Sequence, residues 1–290
     1  MTARRVAVVT DSTADLPPEL ARRRGITSVP LTLNFDGRSY LDGVEITPED
    51  FYARLPSASQ HPTTSQPSAG RFAEVYQKLL QDHQAVVSLH ISSKLSGTYA
   101  SAVQGAELAD GGRIQVVDTE VVSMPLGLLA LVAAQVAEQG AAPAQVLEAV
   151  ERVRSGLKTY FSLGTLEFLR RGGRIGRASA LLGSVLQVKP VLAISDGEVA
   201  PLERVRTFER ALRRVGELAR GVDGGQGICA IVGHSAAEDS ARQLAAGLKD
   251  AARVLMIQPL GPVVGAHAGP GTVGVGCYPA QLFNLSLPSG

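Results

Sequence analysis

The sequence has little of several residue types on which particular classes of protein depend. It contains no tryptophan, only 4% aromatic residues, and two cysteines among 290 residues. Platforms that stack single-stranded bases are built from aromatic side chains, so we expect none here. The two cysteines, Cys229 and Cys277, lie far apart in apolar stretches. That placement favours a reduced cytoplasmic protein over a secreted one built on disulfides.

The sequence has no excess of positive or negative charge, and it has no long apolar run. The 28 lysines and arginines offset 27 acidic residues, so no basic face for nucleic acid is expected. The most apolar stretch, residues 125–134, is much shorter than the roughly 20 residues that span a bilayer. The N-terminus lacks the longer apolar region of a signal peptide. We therefore predict a cytoplasmic protein with at most transient membrane contact.

The histidines show no metal-binding pattern. None of the five (His61, His83, His90, His234 and His267) has metal-ligand spacing or a nearby cysteine pair. A serine hydrolase would need a nucleophile elbow, and no Gly-x-Ser-x-Gly occurs. We expect no metal and no catalytic triad, and the pattern by itself assigns no role to His267.

What the sequence does contain is an alternation of strand-like and helix-like segments. This alternation predicts an α/β protein, and the length allows two domains. We predict domains at 1–157 and 158–290, the first with a mainly parallel sheet. The helix predicted at 123–138 is apolar nearly all round, so it is either buried in the core or forms the wall of a ligand tunnel.

A hydroxyl-rich turn at residues 90–99 stands out between a predicted buried strand and an alanine-rich helix. The N-terminus of a helix has unpaired N–H groups and partial positive charge, which suits an anion. The alternative is plain helix capping by Ser93 or Ser96. A second hydroxyl cluster, residues 63–68, is predicted to open the helix that leads into the same strand. Two such clusters around one strand favour an anion site.

Asp11 ends the first predicted strand and invites a phosphoryl-transfer interpretation, with its carboxylate as nucleophile. That chemistry usually needs a second acid two residues later and paired carboxylates for magnesium. Position 13 is threonine, so an acid that caps a helix or fixes a loop is favoured. The enzyme hypothesis remains as an alternative.

Two glycine-containing segments have uses other than nucleotide binding. The Gly269-x-Gly271-x-x-Gly274 pattern lies near the C-terminus with no helix-forming stretch after it, so we reject a dinucleotide site. It remains a place where close backbone approach could position His267. The arginine-rich turn at 170–177 is either a solvated turn or a docking patch for a partner or a phosphate.

Six motifs taken together resemble the DegV family. They are DSTAD at 11–15, TSQPS at 64–68, SSKLSGTY at 92–99, VDT at 117–119, GGR at 172–174 and HAGPGTVG at 267–274. The resemblance covers essentially the whole chain, with the motifs in the family's order. It implies two α/β domains that hold a long-chain fatty acid between them, with no other cofactor and no catalysis by this chain. It further implies a monomer that presents the carboxyl group to a separate fatty acid kinase, which makes an acyl phosphate.

The resemblance also assigns roles to particular residues. Thr64 and Ser96 would bind the carboxylate, with help from the Gly97 backbone, and His267 would complete the network. Two arginines, Arg174 and Arg206, match positions that resemble the kinase-docking surface. The tail would lie beside the apolar helix at 123–138. A sensor or carrier of another amphiphile remains an alternative use of the same pocket.

Overall fold

A computed structural model of the chain describes residues 5–182 and 189–287. The first half contains β1 (Val6–Asp11), α1 (Pro18–Arg23), β2 (Ile26–Val29), β3 (Thr32–Phe35), β4 (Arg38–Leu41), α2 (Pro48–Arg54), β5 (Thr63–Ser65), α3 (Ala69–Leu79), β6 (Ala85–His90), α4 (Thr98–Ala109), β7 (Ile114–Asp118), α5 (Met124–Glu138) and α6 (Pro143–Gly156). The second half contains β8 (Lys158–Ser162), α7 (Glu167–Arg171), β9 (Lys189–Ser195), β10 (Glu198–Val205), α8 (Phe208–Arg220), β11 (Ile228–His234), α9 (Glu238–Leu248), β12 (Ala252–Pro259), α10 (Pro262–Ala268) and β13 (Val273–Pro279). The predicted α/β class is confirmed.

The first sheet is entirely parallel, in the order β2-β1-β6-β7. Its faces are both covered, because Val6 and Val8 point into the core around α5 whereas Ala7 and Val9 point toward α3 and α4. Parallel strands buried on both faces read as continuous apolar runs. This is why β1 and β6 could be recognised in the sequence.

The second sheet has six strands in the order β10-β9-β8-β13-β11-β12 and is mostly antiparallel. Along β13, Val273, Val275 and Cys277 face the helices α8 and α9. The intervening Gly274 and Gly276 face the opposite side, where a Cβ at Gly276 would lie only 2.7 Å from Pro125. The start of α5 can therefore approach the sheet closely.

Helix α5 lies between the two large sheets and contacts strands of both. Twelve of its fifteen residues are buried, which confirms the core-burial interpretation of this segment. One hydrophobic cluster includes Val8 of β1, Leu129 of α5 and Ile231 of β11. The two large sheets thus share one core through α5, and the division into domains at 157/158 stays a prediction.

A small antiparallel sheet, β4-β3-β5, covers one end of this arrangement. Leu33 and Phe35 of β3 pack with Val263 and Ala266 of α10. The sheet therefore holds β5 next to α10, although these elements are about two hundred residues apart in sequence. Within the described residues, no helix has both the length and the apolar character needed to cross a membrane.

Candidate functional site

A cavity of about 110 Å³ lies between the two large sheets. It opens at the carboxyl ends of β1 and β6, where the chain turns at Thr13 and Ile91. Strand β2 lies on one side of β1 and β6 on the other, so this is the topological switch point at which open α/β sheets bind ligands. One water needs only about 10–15 Å³, so the space suits a larger guest. Both halves of the chain contribute to its walls, as predicted for a site between the domains.

The walls are mostly apolar, and their apolar residues come from six elements and from the connections between elements. The apolar lining residues are Leu31, Ile91, Leu95, Val122, Met124, Phe161, Leu169, Ile194, Val199, Leu260, Val263, Val264 and Ala268. Of α5, only the first turn borders this space. The rest of that helix is core, so the expectation that a tail lies along residues 123–138 holds only at its N-terminal end.

Thr64 and His267 meet at the polar end of the cavity. The Thr64 hydroxyl lies 2.8 Å from Nε2 of His267, and both residues line the cavity. Thr64 is in β5, opposite Leu33 of β3. The prediction that residues 63–68 open a helix is therefore wrong for the first three of them: only Ser68 caps α3, accepting a hydrogen bond from the Arg71 N–H.

His267 lies on α10, a helix that the sequence reading missed. Gly265 and the glycines from 269 onward are poor helix formers, so this segment was not predicted to be helical. Pro262 stands at the first position of the helix, where proline is favoured. The glycine that comes close to His267 is Gly172, not one of the glycines at 269–274. A Cβ added at Gly172 would collide with Nδ1 of His267. The glycine therefore makes room for the imidazole ring.

The imidazole of His267 is neutral at physiological pH. Burial, with smaller contributions from the nearby Arg174 and His61, lowers the pKa of His267 to about 4. Its Nδ1 is buried and has no hydrogen-bond partner among residues 5–182 and 189–287. A buried unpaired N–H is rarer and less favourable than a buried unpaired lone pair, which favours the tautomer with hydrogen on Nε2. His267 then donates to Thr64, and the Thr64 hydroxyl hydrogen is free for a ligand.

Ser96 and Gly97 form the second part of the polar end. The Ser96 oxygen accepts from the Thr98 N–H at 3.3 Å and lies 2.8 Å from the Thr98 hydroxyl, so Ser96 helps to cap α4. It also lines the cavity; the capping and ligand interpretations are therefore compatible. The Gly97 N–H makes no hydrogen bond within the part of the chain that the structure describes.

Gln66 holds the two hydroxyl clusters together. Its amide lies directly over Gly97, where any Cβ would collide with it, and its Nε2 donates to the Ser101 hydroxyl at 3.2 Å. Gly97 itself is not part of the cavity wall, but it lets Gln66 tie the segment of Thr64 to the turn of Ser96. Gln66 belongs to the TSQPS motif at 64–68, but nothing in the sequence indicates this contact.

The two predicted docking arginines occupy different environments. Arg174 lines the cavity, where its Nε donates to the Leu95 carbonyl at 3.0 Å and its Nη1 donates to the Gly172 carbonyl at 2.7 Å. Arg206 is exposed before α8, has no side-chain partner in the described ranges and lies outside the cavity wall. The structure thus brings Arg174, but not Arg206, to the predicted carboxylate-binding residues.

Asp11 is fully buried and completely hydrogen-bonded. It accepts from the Thr13 N–H at 3.1 Å, the Thr13 hydroxyl at 2.5 Å and the Ile91 N–H at 3.0 Å, and His90 lies 2.9 Å away. These four partners use all the acceptor sites of a carboxylate. Asp11 therefore fixes the loops after β1 and β6 and keeps no free oxygen for attack. Among the described residues, no group of three or more histidines, cysteines and acids could hold a metal ion.

Comparisons with known proteins agree with this architecture. A family model described as "Uncharacterised protein, DegV family" matches residues 5–280. A DegV domain-containing protein of Streptomyces coelicolor is 43% identical over 279 residues, covering 94% of this chain and 98% of the relative.

Two solved structures are also similar to this chain. One is a DegV family protein from Thermus thermophilus whose fatty acid binding is described, with a TM-score of 0.88, 41% identity, and coverage of 95% of this chain and 99% of that one. The other is DegV from Bacillus subtilis, described as a fatty acid binding protein, with a TM-score of 0.85, 32% identity, and coverage of 94% and 98%. The chain therefore belongs to the DegV family.

Proposed function

We propose that this protein binds a long-chain fatty acid, with the carboxylate at Thr64, Ser96 and His267 and the tail in the apolar cavity. The observation that carries the proposal is the composition of the cavity wall: Thr64, Ser96, His267 and Arg174 all line it, and most of the remaining lining is apolar. The fatty acid binding described for the Thermus thermophilus and Bacillus subtilis relatives supports it.

The polar end offers donors that suit a carboxylate. The Thr64 hydroxyl is oriented by His267, and the Ser96 hydroxyl stands beside the start of α4. The N–H of Gly97, next to Ser96 but outside the cavity wall, makes no hydrogen bond to any described residue. Hydrogen bonds to an ionised acceptor are the stronger kind, and the N-terminus of a twelve-residue helix adds favourable partial charge. Arg174 contributes a positive charge at the same end.

The tail supplies most of the binding free energy. Burial of a methylene is favourable by about 0.8 kcal/mol, so fourteen methylenes give on the order of 11 kcal/mol before the entropic costs of association. The hydroxyls then decide which end of the ligand is held, and the tail decides how tightly. No step in this role needs catalysis by the chain, and no cofactor beyond the lipid is required.

We further propose that the bound carboxyl group is presented to a separate fatty acid kinase for acyl-phosphate formation. The polar end is bordered by Arg174, and the exposed Arg206 offers an unpaired charge to a partner. Carriage of the lipid for sensing or transport uses the same site without a kinase. Acyl-phosphate formation by a kinase, ATP and the loaded protein distinguishes the two roles.

Ser96→Ala tests the binding site, and Ser93→Ala is its matched control. Ser93 is exposed, sits three residues earlier in the same turn and lies outside the cavity wall. Isothermal titration with palmitate should show affinity reduced roughly tenfold by Ser96→Ala, the effect of one lost charge-assisted hydrogen bond, and unchanged by Ser93→Ala. Equal affinities in both variants would count against the carboxylate position.

A further inference from the structure

Thr159 forms part of the apolar wall of the cavity, at the start of β8. It lies opposite Gly276 of β13, and Phe161 lies opposite Gly274. Side chains two apart on a strand share a face, so Thr159 and Phe161 face the same way, and both border the cavity. The glycines across from them are covered on this side, Gly274 by Phe161 and Gly276 by Pro125 of α5.

The Thr159 hydroxyl is unpaired. The residue is 6% exposed, and its Oγ1 is buried without a hydrogen-bond partner anywhere in the described parts of the chain. A buried hydroxyl that makes no hydrogen bond destabilises the fold, whereas valine would fill the same space without this penalty. Rotation about the Cα–Cβ bond exchanges the methyl and hydroxyl positions, so the oxygen can turn toward a guest in the cavity.

Thr159 lies at the end of the cavity away from the polar group of residues. Strand β13, which pairs with β8, begins next to the end of α10: the Thr272 hydroxyl donates to the Ala268 carbonyl, and Val273 lies opposite Ser162. Thr159 lies three residues before Ser162 on β8, opposite Gly276, where Pro125 at the start of α5 packs against the sheet. A guest whose carboxylate is held near Arg174 therefore brings the distal part of its tail to Thr159.

We infer that Thr159 makes this cavity selective for acyl chains that bear an oxygen, as a hydroxyl or keto group, in their distal half. This inference rests on the proposed fatty acid function. A plain methylene chain leaves the Thr159 hydroxyl unpaired, whereas an oxygen at the right carbon accepts its hydrogen bond. A site built to pair with a polar group discriminates against the ligand that lacks it.

The experiment compares palmitate with a series of monohydroxypalmitates substituted at successive carbons from the middle to the end of the chain. Their affinities are measured for the wild type, for Thr159→Val, which keeps the shape, and for Thr159→Ser, which keeps the hydroxyl. The wild type and the serine variant should bind one isomer in the distal half about five- to tenfold more tightly than palmitate, the effect of one net hydrogen bond. In the valine variant this preference should disappear while palmitate binds at least as well as before.

The outcomes separate the two hypotheses. If palmitate binds the wild type but no hydroxylated isomer binds better, or if the preference survives in Thr159→Val, the role of Thr159 is overturned and the fatty acid function stands. If neither palmitate nor any isomer binds the wild type, the proposed function itself fails. The wild-type comparison alone decides the inference should the valine variant fold poorly.

Discussion

His267 has a strongly lowered pKa and also forms the hydrogen bond to Thr64 in the cavity. Burial holds its pKa at about 4, below the usual 6.5, so the folded protein resists protonation of this ring while the unfolded chain accepts it. The stabilisation that results is fully present above pH 6.5 and is lost as pH falls toward 4. A neutral ring also keeps the donor on Nε2 directed at Thr64.

His267→Gln should remove this pH dependence. Between pH 7.5 and pH 5, the free energy of unfolding of the wild type should fall by about 1–2 kcal/mol more than that of the variant. Urea titrations of both proteins at the two pH values measure the difference. A parallel loss in the two proteins would mean that the folded state does not hold the imidazole neutral.

Gly97 is the residue at which the two hydroxyl clusters touch. A Cβ there collides with the Gln66 amide, although the Gly97 backbone has an ordinary φ of −73° that alanine adopts easily. Gly97→Ala should therefore displace Gln66 and weaken palmitate binding by roughly 1–2 kcal/mol, the usual range for a small overpacking. Binding by titration calorimetry checks this.

A double variant gives the matching control for Gly97. Adding Gln66→Ala to Gly97→Ala removes the colliding group, so part of the lost affinity should return. If the single variant binds palmitate like the wild type, the contact between Gln66 and Gly97 does not position the carboxylate-binding hydroxyls.

At the scale of elements, α10 connects two buried carboxyl groups to the cavity. Asp15 accepts from the Gly261 N–H at 2.9 Å and Asp42 accepts from the Val263 N–H at 3.4 Å, so both acids bind the start of the helix whose last turn holds His267. Burial raises the pKa of Asp42 to about 6 and raises the pKa of Asp15 well above its usual value.

The raised pKa of Asp42 makes its contribution to stability greatest in acid. The contribution is fully present below pH 3.8, the ordinary value, and is lost as pH rises through about 6. Asp42→Asn keeps the acceptor for Val263 and cannot ionise. Relative to the wild type, this variant should gain on the order of 2 kcal/mol of unfolding free energy between pH 4.5 and pH 7.5. Chemical denaturation at both pH values tests this, and an equal difference at both would contradict it.

The sequence predicted those elements whose signal is local. The buried strands β1 and β6, the apolar helix α5 and the loop-fixing role of Asp11 were all legible from short apolar runs and polar strand ends. Strand β5 was missed because three residues pair with β3 only through tertiary structure. Helix α10 was missed because Gly265 within it opposes helix formation in isolation, whereas packing against β3 and α2 stabilises it in the fold.

The sequence indicated the polar residues of the cavity, but it did not indicate the apolar residues of its walls. Hydroxyl-rich segments drew attention to residues 63–68 and 90–99, and the DegV resemblance then implied roles for Thr64, Ser96 and His267; the structure brings all three to one cavity. The apolar lining comes from strands and helices spread over the whole chain. No short pattern marks such residues, because only the packing of the two sheets around α5 brings them together.

At the scale of the whole molecule, the two halves close on each other around the cavity. Ser92 donates to the Gly197 carbonyl at 2.7 Å and Lys94 donates to the Asp196 carbonyl at 2.7 Å, while Arg174 reaches the Leu95 carbonyl. The first two contacts tie the turn that carries Ser96 to the hairpin of β9 and β10, and the third ties it to the segment after α7. The position of the turn proposed to bind the carboxylate therefore depends on the second half of the chain.

Arg206→Glu tests whether the loaded protein is presented to a kinase. Arg206 is exposed and lies outside the cavity wall, so palmitate affinity should be unchanged. Acyl-phosphate formation by a fatty acid kinase with ATP should fall about tenfold or more, as expected when charge at a docking surface is reversed. Lys249→Glu, an equal charge change at an exposed position after α9, should have no effect. Equal rates in both variants would remove Arg206 from the docking surface.

Native mass spectrometry of the purified protein, followed by denaturing extraction and lipid analysis, tests whether the cavity between the two sheets holds a fatty acid. We expect one fatty acid per chain, restricted to one or a few chain types. A protein that carries no lipid and also fails to take up added palmitate or oleate would contradict this expectation.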